Sequence, residues 1–122
     1  MILWIALGGA AGSVLRYLVG GAVQRAGGIS FPAGTLVVNV TGCFLIGILA
    51  QHYMNAQVHP AMRTLLITGF CGGYTTFSTF SLEAAGLIQG GEYGKAATYM
   101  MLSLVLSIAA TFAGFAAARV AA

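Results

Sequence analysis

Apolar positions in this chain come in four long runs separated by short polar breaks. A membrane-crossing helix needs about 20 mostly apolar residues, and the runs at 2–23, 32–53, 62–88 and 95–118 all reach that length. The first break holds Arg25, Gly27, Gly28 and Ser30 ahead of Phe31-Pro32, where proline suits the first turn of a new helix. The second runs through His52, Asn55, Gln57, His59 and Pro60 to Arg63, and the third is Gln89-Gly90-Gly91-Glu92-Tyr93-Gly94-Lys95. The pattern predicts an all-α integral membrane protein, one transmembrane domain over residues 1–122, with both termini on the same side.

Composition strengthens that reading. Of 122 residues, 59% are hydrophobic and 6% charged, against about 25% charged in an ordinary soluble domain. A mean hydropathy of +0.93 is spread along the chain, which excludes one N-terminal signal peptide as its source. The net charge of +3 is too small and too dispersed for a nucleic-acid footprint. No Ser-His-acid set, carboxylate pair or His/Cys cluster is present, His52 and His59 fall in a loop, and an enzyme is not predicted. Cys43 and Cys71 lie inside apolar runs, where free cysteine behaves as a small hydrophobe.

Lysine and arginine near the span ends set orientation in a bilayer. Arg63 and Arg119 lie on the side of the termini; Arg25 and Lys95, with Arg16 leaning towards them, lie on the other. So small a bias predicts insertion both ways up, unless Arg16 and a few neighbouring lipids select one orientation. Four helices leave little room for a water-filled pore, so oligomerisation is expected. Gly8 and Gly12 form a small-xxx-small pair, and Gly42, Gly47, Ala109, Ala113 and Ala117 are further packing signals.

Polar side chains in hydrocarbon are costly, and each cluster is a candidate solute path. The third run reads Gly69-Phe70-Cys71-Gly72-Gly73-Tyr74-Thr75-Thr76-Phe77-Ser78-Thr79-Phe80-Ser81. Its paired glycines and hydroxyl run predict a helix broken at mid-membrane, whose freed carbonyls suit a cation and whose restarted half-helix suits an anion. The bland alternative is a glycine kink with hydroxyls bonded to their own backbone. Asn39, alone among aliphatic neighbours, is an anion donor or a helix-to-helix glue. Ser103, Ser107 and Thr111, with Tyr99 one turn before them, share one helix face as a hydration track or an ordinary helix contact. Phe77 and Phe80, three apart, either pack in a core or turn positive ring edges towards a lumen, beside the hydroxyls of Thr76 and Thr79.

Three stretches carry a resemblance to the CrcB/Fluc fluoride channels: 8–17 (GGAAGSVLRY), 34–42 (GTLVVNVTG) and 69–80 (GFCGGYTTFSTF). The likeness implies an antiparallel, dual-topology homodimer in a bacterial inner (plasma) membrane, with two fluoride pathways. It implies a structural Na⁺ at the dimer centre on the backbone carbonyls of Gly72 and Thr75. It implies a pathway through Phe77 and Phe80, with Asn39 as donor, Ser107 and Thr111 as a polar track, and Arg16 near a vestibule. The expected activity is passive export of fluoride, lowering its toxicity in the cytoplasm. The rival is a small dual-topology, proton-coupled multidrug exporter, which needs a membrane-embedded carboxylate. Glu83 is the one acid inside a span, and it reads as interfacial, pairing with Lys95 or Arg25. A noncatalytic subunit of a larger membrane complex also fits the composition, but gives no reason for the hydroxyl run.

Overall fold

The computed structural model describes residues 1–28, 30–55 and 57–121, and every regular element among them is helical. Helix α1 is Ile2–Gly27, α2 is Ala33–Asn55, and α3 runs without interruption through Pro60–Arg63, Thr64–Cys71 and Gly72–Tyr74. Helix α4 is Phe77–Gln89 and α5 is Tyr93–Ala121. Among the described residues three helices are long and apolar enough to cross a membrane: α1, α2 over Ala33–Met54, and α5. The predicted run at 62–88 is divided between α3 and α4.

Local chemistry explains the boundaries. Helix α1 ends at Gly28, whose φ of 83° favours a residue without Cβ. The Gln24 amide then holds the connection: Nε2 donates to Gly28 O (2.6 Å) and Phe31 O (2.9 Å), while Oε1 accepts from Gly34 N (3.0 Å). Helix α3 opens with proline in its first turn, and His59 Nδ1 accepts from Ala61 N at 3.1 Å. Arg63 closes the α2–α3 connection by donating to Tyr53 O (3.2 Å) and lying over the Tyr53 ring. Gly91, at φ 75°, turns the chain from α4 into α5.

Thr64–Cys71 is a π-helical stretch, with bonds from residue i+5 instead of i+4. Helix α1 packs chiefly against it, and α2 packs chiefly against α5. Glycines set both separations. A Cβ at Gly8 or Gly12 would strike the carbonyl of Leu65 or Phe70, and one at Gly73 would lie 2.6 Å from Gly9 O. Between α2 and α5 the contact is Gly47 on Gly114: a Cβ on Gly114 would meet Gly47 Cα at 2.9 Å. Ala109, Ala113 and Ala117 point outward instead, because the packed stripe of α5 runs through Ala96, Tyr99, Ser103 and Gly114. Large apolar side chains cover the outside, among them Leu3, Leu7, Leu18, Leu104, Ile108 and Phe112, an arrangement stable in lipid and not in water.

Candidate functional site

Between Tyr74 and Phe77 the backbone leaves helical geometry, with Thr75 at φ −81°, ψ 154° and Thr76 at φ −145°, ψ 119°. Peptide groups here lose their helical partners and need others, since a buried backbone group left unpaired is costly. Asn39 supplies two bonds: its Nδ2 donates to Thr76 O (3.0 Å) and its Oδ1 accepts from Thr76 N (2.8 Å). Arg16 supplies a third, with Nε donating to Gly73 O at 3.1 Å. Thr75 N and Oγ1 both donate back to Cys71 O, at 3.0 and 2.9 Å. Thr76 Oγ1 accepts from Thr79 N (3.2 Å) and so caps α4. No described residue donates to Gly72 O or Thr75 O.

A cavity of about 300 Å³ opens beside the break. Helix α2 gives it Asn39 and Cys43, the break gives Thr75 and Thr76, and α4 gives Phe77 and Phe80. Helix α5 completes it with Ser103, Leu104, Ser107 and Ile108. No Asp, Glu, His, Lys or Arg lines it. The Ser103 hydroxyl oxygen is buried there without a hydrogen-bond partner. Helix α4 begins at the cavity wall, so its positive dipole end and the unpaired N–H groups of its first turn lie there. The rings of Phe77 and Phe80 are 5.6 Å apart, and Phe77 is 79% exposed. Such a space, lined by hydroxyls, an amide and ring edges without fixed charge, can hold a small anion weakly.

Six of the nine residues predicted to line a solute path meet in this cavity: Asn39, Thr76, Phe77, Phe80, Ser103 and Ser107. The other three lie elsewhere. Thr79 faces an adjoining cavity of about 380 Å³ with Arg16, Gln24 and Glu83, and Thr76 lines both. The Thr111 hydroxyl donates to Ser107 O on its own helix (3.1 Å). Tyr99 is 0% exposed; Phe80 and Phe31 pack on its ring, and its hydroxyl donates to Glu83 Oε1 at 3.2 Å. That bond corrects the expected pairing of Glu83 with Lys95 or Arg25, because Lys95 instead pairs with Glu92 at 3.3 Å. Sequence reasoning also missed Cys43, although its position one turn after Asn39 puts both on one face of α2. Gln24 had no such signal, since its partners are backbone atoms of a loop.

The class defined by these features is an all-helical membrane protein with a small cavity where the helix is interrupted, mostly apolar with a few polar groups and no fixed charge. The sequence profile of CrcB-like proteins, described as Camphor Resistance (CrcB), matches residues 3–115, and the chain belongs to this family. Proteins bearing the name fluoride-specific ion channel FluC are similar to it over nearly their whole length. That of Agrobacterium fabrum is 52% identical over 118 residues, covering 94% of this chain and 93% of the relative. That of Rhizobium meliloti is 52% identical over 119 residues, with 97% and 95% covered. FluC 1 of Nitrobacter hamburgensis is 50% identical over 120 residues, with 98% and 95% covered.

Proposed function

We propose that this chain is a fluoride channel, not an enzyme, and that it lets F⁻ leave the cytoplasm passively through the cavity beside the break. The observation that carries the reading is the cavity beside the break, lined by Asn39, Thr76, Phe77, Phe80, Ser103 and Ser107 with no charged group among its lining residues. Fluoride gives up its hydration reluctantly, so Ser103, Ser107, the remaining Asn39 N–H and the ring edges of Phe77 and Phe80 must replace water at close range. A lysine or arginine in the wall would hold the anion too tightly for release. Arg16 lies in the adjoining cavity, where its charge gathers anions without trapping them. The names borne by relatives at 50–52% identity support the same reading.

The working unit in this reading is an antiparallel, dual-topology homodimer of one transmembrane domain each, in a bacterial inner membrane, with the break at mid-membrane. The near absence of a Lys/Arg bias supports insertion both ways up. The free carbonyls Gly72 O and Thr75 O fit a hard cation, because unwound backbone oxygens of this kind are ligands for Na⁺. A sodium ion shared by two chains there would neutralise the facing carbonyl dipoles and hold the breaks together. Tyr99, Thr79 and Thr111 belong to the supporting wall. The proton-coupled exporter needs its carboxylate in the solute site, whereas Glu83 lies outside the cavity lining and accepts from Tyr99.

The test is efflux from liposomes holding only this protein, loaded in parallel with fluoride or chloride, with sodium present. Rapid fluoride release with negligible chloride release is expected. No fluoride release from well-folded protein overturns the reading.

A further inference from the structure

The row of aromatic rings does not end at the cavity wall. Behind Phe80 lies Tyr99, with ring centroids 5.2 Å apart, and beyond Tyr99 lies Phe31, 5.7 Å away and edge-on at 85°. Tyr99 is 0% exposed and takes no part in the lining, so it reaches the cavity only through the Phe80 ring. Its hydroxyl is tied to Glu83 Oε1 at 3.2 Å, which holds the tip of the side chain; Phe31 bears on the ring. Phe31 is in turn held by its backbone. Its carbonyl oxygen accepts from Gln24 Nε2 at 2.9 Å and from Ala33 N at 2.8 Å, and Pro32 follows with its fixed φ. Just beyond, α1 and α2 touch so closely that a Cβ on Gly34 would strike Gly20 O. A residue of the α1–α2 connection therefore stands at the far end of a row that runs from Phe31 through Tyr99 and Phe80 to Phe77.

We propose that Phe31 is a positioning residue of the solute path: acting through Tyr99, it fixes the tilt of the Phe80 ring at the cavity wall. Its effect on flux rests on the fluoride reading above; its effect on the Phe80 ring rests on the ring contacts alone. The ring torsions of Phe and Tyr are broad and soft, so neighbours and not the bond itself decide how such a ring stands. An aromatic ring is positive at its edge and negative over its face. A Phe80 ring that turns therefore changes what it offers an anion without changing the composition of the wall. Among the described residues, Phe31 and Phe80 are the two whose rings pack on Tyr99. Leucine at position 31 keeps an apolar side chain there but supplies no ring, which leaves Tyr99 free to turn and Phe80 to follow. A matched pair elsewhere serves as control: Phe112 and Phe115 on α5 meet at the same 5.7 Å and 85°, and neither lines the cavity.

The experiment uses the whole protein and two independent readouts. Fluoride efflux is measured from liposomes with sodium present, per folded chain by gel filtration. The Phe80 ring is followed by fluorine NMR of a para-fluorophenylalanine placed at position 80, in detergent micelles without fluoride. Phe31→Leu is expected to lower efflux about two- to tenfold, the weight of one aromatic pair, and to shift or broaden the resonance. Phe31→Tyr, which keeps the ring, and Phe115→Leu, which breaks the matched pair, are expected to keep the wild-type rate and resonance. Phe31→Met is read in place of Phe31→Leu where the latter does not fold. Lower efflux with an unmoved resonance makes Phe31 a merely structural residue and overturns the proposal. So does unchanged efflux in Phe31→Leu, or an equal loss in Phe115→Leu. If the wild-type protein conducts no fluoride, the channel reading has failed, and the resonance alone decides whether Phe31 sets the Phe80 ring.

Discussion

Replacing Asn39 by leucine tests whether the clasp on Thr76 holds the break together. The two side chains are close in volume, so the change removes two hydrogen bonds without opening a large void. It strands Thr76 N–H and Thr76 O, now paired with Asn39 at 2.8 and 3.0 Å. A buried group left unpaired costs about 1–3 kcal/mol, so two cost about 2–6 kcal/mol. Thr76 is half-buried, which places the loss in the lower part of that range, about 2–4 kcal/mol. Against a total stability of about 5–15 kcal/mol, such a loss is large. The assay is thermal unfolding in detergent micelles, paired with hydrogen exchange at the Thr76 amide. The leucine variant should unfold several degrees lower and lose protection at Thr76, while Val40→Leu on the same helix should do neither. An unchanged or raised midpoint, with Thr76 still protected, would refute the reasoning and return Asn39 to the role of a free anion donor.

Four further outcomes are expected. Phe77→Ile or Phe80→Ile should lower fluoride efflux without unfolding the protein; unchanged efflux in both removes the ring-edge role. Gly12→Ala drives a methyl group into the Phe70 carbonyl, and should abolish folded protein in gel filtration, whereas Gly94→Ala, with nothing near its Cβ, should be tolerated. Tyr99→Phe removes the donor to Glu83, a hydrogen bond to a charged group worth about 1.5–3 kcal/mol, and should lower the unfolding midpoint. Replacing Na⁺ with N-methylglucamine should also lower the midpoint of the wild-type protein, and an unaffected midpoint would remove sodium from the fold.

Much of this could be read before any coordinates, for a physical reason. In lipid, apolar run length decides what spans, and the apolar runs at 2–23, 32–53 and 95–118 fall inside α1, α2 and α5 to within a few residues. The hydroxyls and phenylalanines lining the cavity were legible because each is out of place or at helical spacing within its own segment. Partnerships between segments were not. Asn39 could be reduced to donor or glue, but its choice of Thr76 depends on how closely Gly42 lets α2 approach the break, where a Cβ would meet Thr75 and Tyr74. Arg16 resembles a surface charge in sequence, yet it caps a carbonyl on another helix. The alanine row of α5 has the spacing of an interface and faces outward, because the stripe through Ala96, Tyr99, Ser103 and Gly114 is the one that is buried.

The accounting of polar groups at the break separates what supports the protein from what it offers to a solute. Thr76 is satisfied at both backbone atoms by Asn39, Gly73 O by Arg16, and Cys71 O by Thr75. Substitution at those partners therefore acts on stability first and on flux through it. The groups left over are few and fall in two places. Gly72 O and Thr75 O accept from no described residue, while the start of α4 and Ser103, whose hydroxyl has no partner, line the cavity. Unmet buried backbone groups are costly, and in the channel proposed above each leftover set is completed by an ion. Carbonyl oxygens call for a cation. Donors without acceptors call for an anion, and the lack of fixed charge among them is what lets that anion leave again. The same division separates the measurements: removing the cation should change stability before selectivity, and changing the cavity lining should change flux before stability.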